Sequence, residues 1–124
     1  MTVIRHADAR RTSTPNATMT TFASPTQGGT AQALWRVEMT PGAAGPLHAM
    51  DDDQVWTVLD GAARVEVGSG HEELGAGDTL VVPAGVLRRF HADPDGGLIA
   101  VVAGRGGSLA SGPDREPVVP GWIA

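Results

Sequence analysis

The sequence predicts an all-β protein, a single antiparallel sandwich or barrel, on three observations. The 17 glycines and 9 prolines are spread along the 124 residues, so few intervals between them can hold a helix of average length. Short runs rich in β-branched and aromatic residues lie between these turn residues at fairly even spacing. Several runs alternate apolar and polar residues, which is typical of strands with one buried face.

The central part of the chain carries the clearest strand patterns. Trp35, Val37 and Met39 alternate with polar residues, so these three side chains should face the core. Residues 80–82 are continuously apolar, which predicts a strand covered on both faces. Turns are predicted between the strands, among them residues 60–61 and 70–73. The predicted strands are Ala33–Met39, Val55–Leu59, Ala63–Val67, Thr79–Val82, Leu87–His91 and Leu98–Val102.

The segments that flank this core have weaker patterns, and the whole chain is predicted to be one domain. Residues 1–32 should form one or two edge strands and a loop, and residues 33–103 the barrel. Residues 104–124 are rich in Gly and Pro and predict a tail, whose Trp122 docks on the body or on a second subunit. The first residues lack the apolar run of a signal peptide, so the expected location is cytoplasmic.

Charge and composition exclude several classes of function. A net charge of −5 argues against nucleic acid or an anionic membrane as the main partner. No stretch approaches the roughly 18 apolar residues that a membrane span needs. Because the chain has no cysteine, disulfides, thiolate nucleophiles and Cys-ligated metals are ruled out. A soluble protein remains.

Two spaced motifs resemble those of the cupin superfamily. The first family motif reads G-x5-H-x-H-x3,4-E-x6-G, and the positions that match its spacing are Gly42, His48, Met50, Gln54 and Gly61. The second reads G-x5-P-x-G-x2-H-x3-N, and the matching positions are Gly77, Pro83, Gly85 and Arg88. The chain thus resembles a small single-domain cupin. This resemblance implies an antiparallel jelly-roll β-barrel and a homodimer that pairs through edge strands.

The resemblance also implies a metal site, but the matching residues depart from the family's ligands. In place of two His, a Glu and a third His stand His48, Met50, Gln54 and Arg88. A Gln carbonyl oxygen can ligate a metal, and a thioether suits Cu(I) better than Mn or Fe(II). A guanidinium has no lone pair to donate and stays charged. We therefore expect a degenerate site without a metal cofactor; the alternative is a divalent transition metal held by His48 and Gln54.

If the register of the family carries over, a mostly apolar cavity with a few convergent polar groups lies inside the barrel. The expected catalytic residues are His48, Arg88 and Gln54. Arg88 either binds an anionic group of the ligand or lies at the mouth and reaches water. His48 is either a neutral general acid or base with a lowered pKa, or a vestigial residue bonded to Gln54. Side chains expected to bind the ligand, or simply to fill the barrel, are Met50, Trp56, Phe90, Trp35 and Met39.

These residues predict a metal-independent cupin that binds or converts a small anionic or aromatic molecule by acid/base chemistry. An isomerase, lyase or cyclase reaction would fit such a set, and the resemblance to small bacterial cupins implies a step in secondary metabolism. One alternative is a metal-dependent oxygenase or lyase that uses His48 and Gln54. Another is a non-catalytic barrel that only binds its ligand.

Overall fold

The computed structural model describes all 124 residues, Met1–Ala124, and consists mainly of antiparallel β-strands. The only helical turns are two short 3₁₀ helices, His6–Asp8 and Gly121–Ile123. Neither has the length and apolar character that crossing a membrane requires. The strands are β1 (Arg10–Ser13), β2 (Thr18–Ala23), β3 (Gln32–Met39), β4 (Ala49–Met50), β5 (Gln54–Val67), β6 (Gly70–Gly75), β7 (Thr79–Val82), β8 (Arg88–Ala92), β9 (Leu98–Arg105), β10 (Ala110–Gly112) and β11 (Arg115–Val118).

The strands form the two facing layers of a jelly-roll barrel. In the first layer the order is β1-β2-β3-β9-β5, with β7 on the far side of β5. In the second layer β6 and β8 flank the other half of β5. Beside β8 runs the segment 43–50, whose His48 exchanges both backbone hydrogen bonds with Arg88 of β8, at 3.0 and 2.9 Å. This segment includes β4, on which β10 and then β11 pair.

Strand β5 belongs to both layers because it is 14 residues long and bends near its middle. Its first part pairs with β9 and β7, and its second part pairs with β6 and β8. The chain therefore passes from one layer to the other without leaving the strand. The sequence predicted two strands here, Val55–Leu59 and Ala63–Val67, separated by a turn.

Glycine makes this bend possible. The pairing register with β9 shifts between Val58 and Asp60, which marks a β-bulge. At the next residue, Gly61 has a φ of +73°, and a Cβ at this position would collide with the carbonyl oxygen of Gly97. The turn predicted at residues 60–61 is therefore a bulged bend inside a continuous strand, because backbone pairing continues on both sides of it.

The core lies between the two layers, where 18 buried apolar residues form one cluster. Strand β3 supplies Trp35, Val37 and Met39 to it, as the alternation predicts, and Glu38 points outward. In β7, by contrast, only Val82 is buried, and Val81 is 60% exposed on the outer face. The prediction that β7 is covered on both faces was wrong, because no element lies over that face of the sheet.

The segments that flank the barrel are more ordered than their composition suggests. Strand β2 pairs with both β1 and β3, so of the two N-terminal strands only β1 is an edge strand. Residues 70–75, of which 70–73 were predicted to be a turn, form β6 opposite β5. The C-terminal residues form the hairpin β10-β11 and the second 3₁₀ helix, whose Ile123 is only 1% exposed. Strand β9 also continues past residue 103 to Arg105.

Candidate ligand cavity

A cavity of about 470 Å³ opens between the two layers, and apolar side chains make up most of its wall. Strands β3 and β5 contribute to one side, and β4, β8 and the C-terminal segment contribute to the other. His48 and Gln54 are among the few polar residues of the wall. The large apolar side chains that line it are Trp35, Met39, Met50, Trp56, Phe90 and Trp122. The five ligand-binding candidates from the sequence thus face one cavity, and Trp122 joins them.

Two aromatic rings from opposite layers meet inside the barrel. Trp56, on the first part of β5, stacks on Phe90 of β8 with a centroid distance of 3.9 Å and an interplanar angle of 20°. Both side chains are buried, yet each contributes to the cavity wall. Stacked rings of this kind offer flat apolar surface at low conformational cost, which suits a flat ligand.

Arg88 lies behind the cavity wall, because its side chain is completely buried and does not line the cavity. Its Nη2 donates a 2.6 Å hydrogen bond to Oε1 of Gln54, and its Nη1 donates a 3.3 Å bond to the carbonyl oxygen of Val86. Its Nε has no partner. Burial lowers the pKa of Arg88 to about 10, so the guanidinium still carries its charge near pH 7.

This position matches neither expectation for Arg88. The guanidinium does not reach water at the mouth, since its exposed fraction is 0%. It also does not reach the ligand space directly, because Gln54 stands between them and lines the cavity. Arg88 is held inside by a neutral amide and a backbone carbonyl rather than by an acid.

Gln54 is oriented by two donors. Its Oε1 accepts from Arg88 and also from Nε1 of Trp56, at 3.2 Å. Because both contacts need an acceptor, the oxygen of the amide points towards these two groups. The amide nitrogen is therefore the part of Gln54 that is left for a ligand, and it can only donate hydrogen bonds.

His48 is the only histidine of the cavity wall, and imidazole is the side chain whose ordinary pKa lies closest to neutral pH. Its Nδ1 lies 3.0 Å from the carbonyl oxygen of Pro46, which can only accept, so Nδ1 carries the proton. Nε2 is then the basic nitrogen. Burial lowers the pKa of His48, and the charges of Arg88 and Arg115 lower it further, against the opposing effect of the Pro46 carbonyl. No hydrogen bond joins His48 to Gln54, so the vestigial arrangement considered above does not occur.

The residues present do not fit the four-ligand metal site of the family. No group of three or more His, Asp or Glu side chains in the protein is arranged so that it could hold a metal ion. At the matched positions, the oxygen of Gln54 already accepts from the Arg88 guanidinium, which itself occupies the place of the last ligand. Only His48 and the thioether of Met50 are left as donors, and this pair does not suit Mn or Fe(II).

One charged residue of the wall could not be predicted from the sequence, and the place of the C-terminal segment was predicted only as one of two alternatives. Arg115 of β11 lines the cavity, although its segment was predicted to be a tail. Trp122 docks on the body of its own chain, where its carbonyl oxygen accepts a 2.7 Å bond from Oγ1 of Thr21. No local signal marks Arg115, because its place depends on the pairing of β10 with β4, about 60 residues away.

Residues 35–104, more than half of the chain, match the family model described as a cupin domain. The protein therefore belongs to the cupin family. The match begins in β3, ends in β9 and includes both motifs. A search of curated proteins gave no match.

Several solved structures share the fold. An RmlC-like cupin from Shewanella frigidimarina has a TM-score of 0.70 and 20% identity over 84% of this chain and 90% of its own. The polyketide cyclase RemF from Streptomyces resistomycificus has a TM-score of 0.72 and 20% identity, over 85% and 79% of the two chains. An oxalate decarboxylase variant from Bacillus subtilis has a TM-score of 0.71 and 17% identity over 82% of this chain, which spans only 29% of that longer one. At such identities the likeness establishes the fold alone.

Proposed function

We propose that this cupin converts a small, flat organic molecule, aromatic or anionic, by metal-independent acid/base chemistry at His48. The observation that carries the proposal is a neutral imidazole with a free Nε2 on the wall of an aromatic-lined cavity. A general base must be unprotonated at the operating pH, and the lowered pKa of His48 keeps its imidazole neutral near pH 7.

In the proposed step, Nε2 of His48 accepts a proton from a carbon next to a carbonyl group of the bound molecule. The C–H electron pair moves into the new enolate, and its oxygen accepts a hydrogen bond from the amide nitrogen of Gln54. The imidazolium then returns the proton at the same or another carbon. Isomerisation, elimination and cyclisation all begin with such a proton transfer, so the wall fits any of these reactions.

Arg88 takes the part of a positioning residue in this scheme. Its bond to Oε1 fixes the amide of Gln54 with the nitrogen available to the ligand. Its buried charge also favours the neutral form of His48 and an anionic intermediate nearby. The residues expected to hold the rings of the ligand are Trp35, Met39, Met50, Trp56 and Phe90.

A fold neighbour named as a polyketide cyclase supports cyclisation as a reaction that this architecture can house. We expect the protein to work without a bound metal, because the donor set does not fit one. Treatment with a chelator should therefore leave its activity unchanged. Stoichiometric metal in the purified protein, with activity lost on its removal, would contradict this expectation.

Hydrogen exchange of a carbon acid tests the proposal without knowledge of the natural substrate. The probe is 2-tetralone, a flat bicyclic ketone, and its loss of α-protons in D₂O is followed by NMR. We expect the protein to accelerate exchange over buffer and His48→Asn to lose about 100-fold or more of the acceleration. His71→Asn, on exposed β6 outside the cavity, is the matched control.

Two results would contradict acid/base catalysis at His48. One is no acceleration by the wild-type protein, and the other is equal acceleration by a folded His48→Asn variant. Either result, together with saturable binding of the ketone, would favour the second candidate, a barrel that binds its ligand without converting it. That candidate is supported by the largely apolar wall, which alone can hold a flat molecule.

A further inference from the structure

The ionisable side chains around the cavity are all basic, although the protein as a whole is acidic. The protein has 14 acidic residues and a net charge of −5, yet no Asp or Glu lines the cavity. The ionisable side chains of the wall are His48 and Arg115, and the buried charge of Arg88 lies directly behind Gln54. The cavity is therefore electropositive inside an acidic protein, and such a site attracts anions.

Arg115 is the group of this set that a ligand can reach. It is exposed on β11 while it lines the cavity, and its side chain takes part in none of the hydrogen bonds or ion pairs of the protein. Its sequence neighbours Asp114 and Glu116 are acidic, but neither forms an ion pair with it. All five N–H donors of the guanidinium are thus available to a partner from outside.

The C-terminal hairpin holds Arg115 against the cavity. Ala110 of β10 pairs with Met50, so the hairpin is attached to the strand that follows His48. At Gly112 a Cβ would lie 3.0 Å from the carbonyl oxygen of Leu47 and 3.4 Å from Cγ of Arg115. The aliphatic part of the Arg115 side chain therefore packs against Gly112, and a larger residue at position 112 would displace it. The hairpin thus presents the guanidinium on the same side as His48.

We propose that Arg115 recognises an anionic group of the ligand, so that the cavity prefers flat organic anions, carboxylates or phenolates, over neutral molecules of the same shape. The rings of the ligand lie against Trp56 and Phe90, and its charged group points towards the hairpin. This inference rests on the proposed function and names its substrate class. It assigns to Arg115 the anion contact that the sequence suggested for Arg88, whose guanidinium is enclosed.

Calorimetric titration with two probes of one shape tests this assignment. Naphthalene-2-carboxylate carries the charge, and naphthalene-2-carboxamide is its neutral counterpart. We expect the wild-type protein to bind the carboxylate about 5- to 30-fold more tightly than the amide, with the advantage shrinking as salt is added. Arg115→Gln should abolish this preference and leave the affinity for the amide unchanged.

Arg105→Gln is the matched control, because it removes the same charge from an exposed residue of β9 that does not line the cavity. It should keep the preference for the carboxylate. The proposal is overturned if the wild-type protein shows no preference, if the preference survives Arg115→Gln, or if neither probe binds at millimolar concentration. Failure here is distinct from failure at His48, since the ketone of the exchange assay is neutral and reports only proton transfer.

Discussion

At the residue scale, Arg88 and Gln54 form a unit whose two members are not equally replaceable. A buried guanidinium that loses its partner keeps the full cost of its charge, whereas an amide that loses one of two donors stays satisfied by the other. Oε1 of Gln54 has two donors, while the other bond of Arg88, to the carbonyl of Val86, is long at 3.3 Å.

We therefore expect Gln54→Leu to lower the free energy of unfolding by about 2–4 kcal/mol, because it strands the buried charge. Arg88→Met should change it by no more than about 1 kcal/mol, since an unbranched apolar side chain of similar volume replaces the buried charge. Urea denaturation measures both. Combining the two substitutions should recover much of the loss seen in Gln54→Leu, and a double variant that merely adds the two effects would contradict the coupling.

The lowered pKa of His48 gives a prediction for stability against pH. In the unfolded chain the imidazole takes up its proton near pH 6.5, whereas in the folded protein it does so only at lower pH. Between these two pH values the unfolded state binds more protons, so stability falls as the pH falls. Above pH 6.5 both states are neutral and His48 contributes no slope.

His48→Asn should remove this loss, making the variant relatively more stable than the wild type at acid pH by about 1.4 kcal/mol for each unit of pKa lowering. Chemical denaturation at pH values from neutral to acid measures the difference. His71→Asn, on exposed β6, is the matched control for the loss of an imidazole. A constant difference between His48→Asn and the wild type across this range would show that the folded protein does not depress this pKa.

At the scale of single elements, the bend in β5 depends on Gly61 for two separate reasons. The residue needs a positive φ, and it has no room for a Cβ beside the carbonyl of Gly97. Gly42, with a φ of +76°, shares the first property, but a Cβ added there would meet no atom of another segment within 4 Å. Comparing substitutions at the two glycines therefore distinguishes the cost of conformational strain from the cost of a steric clash.

We expect Gly42→Ala to destabilise the protein by about 1 kcal/mol, the cost of a left-handed conformation for a residue with a Cβ. Gly61→Ala should cost at least about 2 kcal/mol more, because backbone must move where β5 passes between the layers. Thermal unfolding of the two variants gives the comparison. Equal losses would mean that the bend yields without disturbing the pairing of β5.

The strands also show which residues of the candidate site could be predicted from the sequence and which could not. Motif spacing placed His48, Gln54 and Phe90 on one cavity, because the spacing fixes both the strand and the face on which each residue lies. The depth of Arg88 could not be predicted, since it depends on how side chains pack around Gln54. Arg115 could not be found, because its strand belongs to a local hairpin that reaches the cavity only through the long-range pairing of β10 with β4.

At the scale of the whole molecule, the family fold and both layers follow from patterns in the sequence, and the homodimer stays a prediction. Strand β1 leaves one edge of the first layer unpaired, which suits pairing between two chains. A second surface, on the outer face of the sheet, is an alternative dimer interface. In the pairing register Leu34, Ala103, Val55 and Val81 lie side by side across β3, β9, β5 and β7, and all four are exposed.

We expect light scattering after size-exclusion chromatography to give twice the mass of one 12.7 kDa chain. Val81→Lys changes the apolar row without touching the edge at β1, so the variant should remain dimeric if the edge strands pair. A monomeric wild-type protein would contradict the prediction of a dimer. A dimer that dissociates in Val81→Lys would place the interface on the sheet face instead.

The position of β9 has a consequence for synthesis of the chain. This strand is inserted between β3 and β5, both made earlier, and it forms pairs along the whole of β3. A nascent chain that has not yet released residues 98–105 from the ribosome leaves two central strands with open edges. Folding must then wait until most of the polypeptide has emerged, and prematurely terminated products would be prone to aggregate through those edges.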